Sequence, residues 1–228
     1  MKIYFVRHGH PDYSTNTLTP IGHAQAEKAA LRLKDSGIEQ VFSSTMGRAW
    51  QTAEYTAKQL GLEVIPCEFM RELSWGPLDD EPLFEDGHPW KVTARYITEG
   101  KTLCDPDWRS SEPFCKNKFL DTTSNLINGL DTLLEGFGYK REGEYYRVTR
   151  EDTHRSIAIF SHGTASATAF SHLFNVPLLQ VIGLITIDFT CVTVVKFPDK
   201  YGELVCPKLF SSDASHIEKL SEEIVYGN

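Results

Sequence analysis

No stretch of the 228-residue sequence approaches the ~18 consecutive apolar residues of a membrane span. The apolar run near the start, Ile3-Tyr4-Phe5-Val6, is far too short for a signal peptide. Paired cysteines are missing as well. Cys67, Cys104, Cys115, Cys191 and Cys206 are scattered, odd in number and never spaced as C-x-x-C. That pattern argues against a disulfide framework or a cysteine zinc site, and fits free thiols in a reducing compartment. Nor is there an excess of positive charge: 23 Lys and Arg face 31 Asp and Glu, a formal net charge of -8. A field of that sign repels nucleic acid and anionic membranes. The expectation is a soluble, cytoplasmic protein with neither nucleic acid nor membrane as partner, and nothing in the sequence fixes an oligomeric state.

What is present is an ordinary globular composition, 41% hydrophobic and 24% charged. At this length one elaborated domain spanning 1–228 is expected. Residues 2–6 read as a buried strand that stops at Arg7-His8-Gly9-His10-Pro11. Thr19-Pro20 starts a helix that Gly37 closes, Gln40 to Ser43 is a second strand, and Ser44-Thr45 caps a helix to about Leu60. Glu63 to Pro66 makes a third strand. After Leu73 the alternation breaks, and residues 74–154 read as an insertion containing a helix from about Lys118 to Phe137. A strand from Arg155 to Phe160, a small-residue helix to about Phe174, and two closing strands, Phe189 to Phe197 and Glu203 to Phe210, complete the chain. Strands alternating with helices predict a three-layer α/β/α sandwich on a mostly parallel sheet, its core 1–73 and 155–228 carrying a cap from 74–154.

Two tripeptides hold equivalent places. Arg7-His8-Gly9 and Ser161-His162-Gly163 each follow a strand, so a parallel sheet brings both histidines to one edge. Either alone reads as a polar strand end; together, near an Arg, they point to phosphoryl transfer. A neutral imidazole can attack phosphorus and form a phospho-histidine, while the other His and nearby Arg side chains clamp the oxygens. Arg48 opens the helix after the second strand, where backbone amides favour anions. The acidic stretch beyond Leu73 offers a proton donor in Asp79, Asp80 or Glu81, with Glu72 just before it. His8-x-His10 with Asp12 also resembles the opening of some metal-hydrolase sites, but Pro11 forces a turn and Arg7 would repel a cation, so no metal is expected.

Arg7-His8-Gly9, Leu18-Thr19-Pro20 through Ala26, Ser43-Ser44 through Ala53, Arg71-Glu72-Leu73 and Ser161-His162-Gly163 together resemble the ordered signatures of the histidine phosphatase superfamily, which includes phosphoglycerate mutases and many small-molecule phosphatases. The resemblance implies His8 as nucleophile, Glu72 as general acid and base, and Arg7, Arg48 and His162 around the transferring phosphoryl group. Where family members commonly carry a second Gly after the later His-Gly, this chain has Thr164, whose hydroxyl or amide could contact phosphate; Ser14 is the nearest candidate for an auxiliary contact. The segment before Leu18 lacks the longer Trp-containing stretch of true mutases. The implied activity is hydrolysis of small phosphate monoesters without metal or other cofactor. Mutase-type transfer and a non-catalytic phosphoryl-binding module of the same fold are the alternatives. Trp75, Trp90, Trp108, Tyr96 and Phe114 could wall a pocket over the site or form a satellite core, and Asp213-Ala214-Ser215-His216 resembles a closing motif in which His216 lines the pocket or Asp213 and Ser215 cap. Residues 74–154 hold ten Lys and Arg against 16 acids, so most of the negative charge lies outside the phosphate-binding segments.

Overall fold

The computed structural model describes residues 1–79 and 81–217. In chain order these form β1 (Lys2–Arg7), β2 (Pro11–Asp12), β3 (Thr17–Leu18), α1 (Pro20–Leu33), β4 (Gln40–Ser43), α2 (Gly47–Leu60), β5 (Val64–Pro66), α3 (Pro89–Thr98), α4 (Glu112–Cys115), α5 (Phe119–Gly136), β6 (Tyr139–Glu142), β7 (Tyr145–Val148), β8 (Ser156–Ser161), α6 (Gly163–Phe174), α7 (Leu178–Leu184), β9 (Val192–Lys196), β10 (Leu204–Val205) and β11 (Lys208–Asp213). The central sheet has the order β11-β9-β1-β8-β4-β5. Its β1, β8, β4 and β5 run parallel, and β9 and β11 close one side antiparallel.

Successive side chains of a strand point to opposite faces. Ile3 and Phe5 of β1, with Ile157 and Ile159 of β8, therefore join one apolar cluster, which also takes in Leu126, Leu130 and Leu134 of α5 and Phe170 and Leu173 of α6. Val6, Ala158 and Phe160 face the other way, toward Leu33 of α1 and Ala53 and Ala57 of α2. Both faces are covered, which gives the expected three layers. Each fully buried Phe, Leu or Ile contributes roughly 1.5–3 kcal/mol.

Several boundaries differ from the sequence reading: α1 ends at Leu33 short of Gly37, α2 has Met46 rather than Ser44-Thr45 at its N-cap, and β9 begins at Val192 rather than Phe189. The stretch 203–210 is not one strand. Pro207, which lacks an N–H, splits it, so β10 pairs with β7 in a small outer sheet while β11 pairs with β9. The segment 74–154 is not wholly a cap either. Its α5 is a core helix, and only the part before it, with α3 and α4, leans over the strand ends. Among the described residues no single helix is long and apolar enough to cross a membrane.

Candidate active site

β1 and β8 are neighbours with Arg7 opposite Ser161, so His8 and His162 leave the sheet side by side, ring centroids 5.1 Å apart. β4 flanks β8 on its other side and brings Ser44 to His162, with 2.8 Å between Oγ and Nε2. The backbone at His8 is pinned from both neighbours. Its N–H donates to Ser161 O at 2.9 Å, and its carbonyl accepts from Thr190 N at 3.2 Å.

The signature segments interlock around that loop. A Cβ on Gly9 would come within 2.5 Å of Gly22 O, and one on Gly22 within 2.1 Å of His10 O, so both positions admit only glycine. Thr19 caps α1 by accepting from Gly22 N. Gln25 Oε1 accepts from His10 N at 2.7 Å, Gln51 Oε1 from Leu18 N at 2.8 Å, and Thr52 Oγ1 from Gly9 N at 3.0 Å. The Thr19–Ala26 and Gln51–Ala53 motifs thus hold the loop that presents His8.

His8 has 1% of its surface exposed and His162 none. Burial, and then the charge of Arg7, hold the His8 pKa well below the usual imidazole value. Burial followed by His8 and Arg48 does the same for His162. The His8 tautomer follows from its partners. Nδ1 lies 2.7 Å from Gly9 O, which can only accept, so Nδ1 carries the proton. Nε2 keeps its lone pair and accepts from Arg48 Nε at 3.2 Å. Arg48 is 6% exposed, a buried side chain rather than a solvated surface charge, and its Nη1 donates to Asn16 Oδ1 at 2.6 Å. Arg7 Nη1 donates to Ile187 O at 2.7 Å, while the buried Arg7 Nε and His162 Nδ1 have no hydrogen-bond partner among the described residues. Two buried polar atoms left open beside two guanidinium groups suit an incoming oxyanion.

Arg7, Arg48, Glu72 and Thr164 line a cavity of about 990 Å³; His8 and His162 are not among its lining residues, and His8 adjoins it through Arg48. Glu72 Oε1 accepts from Leu73 N at 3.1 Å and from Ala165 N, in the first turn of α6, at 3.0 Å. Burial nevertheless raises its pKa against the pull of those amides and of Arg7 and Arg48. Asp79 is exposed and paired with Lys116 at 3.5 Å, Glu81 is exposed, and Asp80 falls outside the described residues. Thr164 lines the cavity, its Oγ1 accepting from Trp90 Nε1 at 3.1 Å.

Ser14 is not brought to the site: it is exposed, and its Oγ donates to Asp12 Oδ1 at 2.6 Å. Asn16 takes up the place beside Arg48 instead. The five candidate lid aromatics divide: Trp75 and Trp90 wall the cavity, whereas Trp108 and Phe114 are buried against each other, centroids 5.2 Å apart, and Tyr96 packs beside them. His216 does not line the cavity. It links Arg32, at 3.0 Å, to Thr190, at 3.1 Å, while Ser215 N caps onto Asp213 Oδ1. His10 turns from His8 toward Thr19 Oγ1, at 3.0 Å. Among the described residues no three His, Cys, Asp or Glu side chains are grouped to hold a metal ion. Asn16, Tyr13, His88 and Asp188 escaped the sequence reading. They sit on irregular loops or at a helix start, where no periodicity marks them.

Residues 3–105 match the histidine phosphatase superfamily (branch 1). That match covers a little under half of the chain. It is 29% identical over 150 residues to a probable phosphoglycerate mutase, GpmB, of Yersinia pestis, covering 60% of this chain and 70% of that one. The fold matches a mycobacterial glucosyl-3-phosphoglycerate phosphatase, with a TM-score of 0.60, 20% identity and coverage of 91% and 96% of the two chains. It also matches a phosphoserine phosphatase of Entamoeba histolytica solved with phosphoserine, with a TM-score of 0.60, 20% identity and coverage of 95% and 98%. The paired histidines lie at the strand ends of the six-stranded sheet, where α/β folds place ligands.

Proposed function

We propose that the chain is a histidine phosphatase that hydrolyses phosphate monoesters through a phospho-histidine on His8. The observation that carries the reading is the neutral His8 ring, its Nε2 lone pair aimed at Arg48, which lines the same cavity as Arg7, Glu72 and Thr164. An entering phosphoryl group draws the Arg48 N–H off Nε2 onto one of its oxygens. It also takes the open Arg7 Nε–H, and His162 and the Thr164 hydroxyl line its other sides. Nε2 then forms the bond to phosphorus as the ester P–O bond breaks, and protonated Glu72 gives its proton to the leaving oxygen. In the second half, Glu72 takes a proton from water, whose oxygen attacks phosphorus. The N–P bond breaks, and inorganic phosphate leaves with His8 neutral and Glu72 protonated again.

Transfer to another hydroxyl, as in a phosphoglycerate mutase, uses the same first half, and the relationship to the Yersinia protein favours keeping it as the second reading. Purified protein incubated with phosphate esters separates the two. Release of inorganic phosphate in step with alcohol supports hydrolysis. Isomerised 3-phosphoglycerate without phosphate release supports transfer, and turnover in neither assay contradicts both.

A further inference from the structure

The cavity has room for far more than a phosphate. Its volume is at the top of the roughly 300–1,000 Å³ range of small-molecule pockets. Its lining includes an apolar set, Leu73, Trp75, Trp90, Ile182 and Ile185. Trp75 is 39% exposed, with its ring 4.3 Å from His88, an aromatic surface presented to the cavity. The charges are distributed unevenly. Among the described residues lining the cavity, Arg7 and Arg48 are the cations, and both belong to the proposed phosphoryl-binding set. His88 is held neutral by burial and by Lys91. The acids are Glu72 and Asp188. Asp188 directly follows Ile187, whose carbonyl accepts from Arg7. A carboxylate or second phosphate on the substrate would therefore find no cation left to pair with and would face the Asp188 carboxylate, a cost that grows as water is excluded.

We propose that the site selects phosphomonoesters whose alcohol is extended, apolar or aromatic and carries no second anion. Trp75 and Trp90 pack the body of the substrate, and Asp188 turns away doubly anionic esters. This selectivity rests on the phosphomonoesterase reading for its chemistry but not for its binding order. Three alkyl esters test it: 2-phenylethyl phosphate, glycerol 3-phosphate and 3-phosphoglycerate, the last two alike in size and differing in the carboxylate.

In the wild type kcat/KM should favour 2-phenylethyl phosphate over glycerol 3-phosphate by on the order of 10- to 100-fold, the value of burying a phenyl ring. It should disfavour 3-phosphoglycerate against glycerol 3-phosphate by about tenfold or more. Trp75→Ala should shrink the first ratio and Trp75→Phe restore most of it; Asp188→Asn should shrink the second by about fivefold or more. Calorimetric affinities of the His8→Ala variant for the same three esters separate binding from chemistry. If the wild type turns over none of them and His8→Ala still binds them in the expected order, the catalytic reading fails and the selectivity stands. A wild type or His8→Ala that prefers 3-phosphoglycerate to glycerol 3-phosphate overturns the selectivity, as do ratios that neither Trp75→Ala nor Asp188→Asn moves.

Discussion

At the scale of the residue, the site works by keeping two titratable groups away from their solution behaviour in opposite directions. His8 is depressed by burial and Arg7, and Glu72 is raised by burial. The proposed mechanism needs His8 neutral and Glu72 protonated. Activity should thus fall on the acid side only as pH drops through the depressed His8 value, well below 6.5. On the other side it should fall as pH rises through the Glu72 value, above 4.5. A kcat/KM profile is therefore expected to fall on the alkaline side through the raised Glu72 value and to show no loss on the acid side around the ordinary imidazole pKa of 6.5. Glu72→Gln should lower kcat by about 10²–10⁴-fold for esters with poor leaving groups and flatten the alkaline limb. Stability carries the same signature. Unfolding lets His162 take up a proton near 6.5 that the folded chain refuses, so between pH 7 and pH 5 stability falls as pH falls. The His162→Asn variant should lose less over that interval than the parent, as read by urea midpoints.

At the scale of the element, the signature segments divide into those that do chemistry and those that hold the chemistry still. Gly22 lies in α1 and touches no phosphate, yet a Cβ there would sit 2.1 Å from His10 O. Gly22→Ala should therefore cost about 2 kcal/mol or more of stability, with a larger loss of kcat than of substrate affinity, because the loop presenting His8 must move. Urea unfolding together with steady-state kinetics checks both. The strand ends, the paired histidines and Arg48 were legible in the sequence because strands, caps and glycine turns leave local signals. Asp188 and Asn16 were not, since each depends on where an irregular loop folds back, and Asn16 even takes a left-handed φ of 58°. Ser14 was the nearest candidate in sequence for the auxiliary contact, but its hydroxyl closes a local turn with Asp12.

At the scale of the whole molecule, the break in alternation after Leu73 marks a cap that ends at α5 rather than at residue 154. The helical period of α5 was readable, but not its destination, because an amphipathic helix shows its apolar face without saying what it packs on. Leu126, Leu130 and Leu134 are fully buried in the main cluster. His172 of α6 meets Asp131 of α5 at 2.9 Å, and Tyr146 of the outer sheet donates to the same carboxylate. Leu130→Ala should cost about 2–5 kcal/mol, and excising 74–154 should abolish folding; circular dichroism and urea unfolding read both. The cap proper reaches the site through Trp90 and Thr164, linking the cavity wall to the start of α6. All of this converges on one ring nitrogen. Rapid quench of the wild type with a phosphate ester labelled on phosphorus, followed by mapping of the labelled peptide, tests the central claim most directly. The account requires an acid-labile, base-stable phosphate on His8 that forms within one turnover and is absent from His8→Ala. Label on any other residue, or a fully active His8→Ala protein, would contradict it.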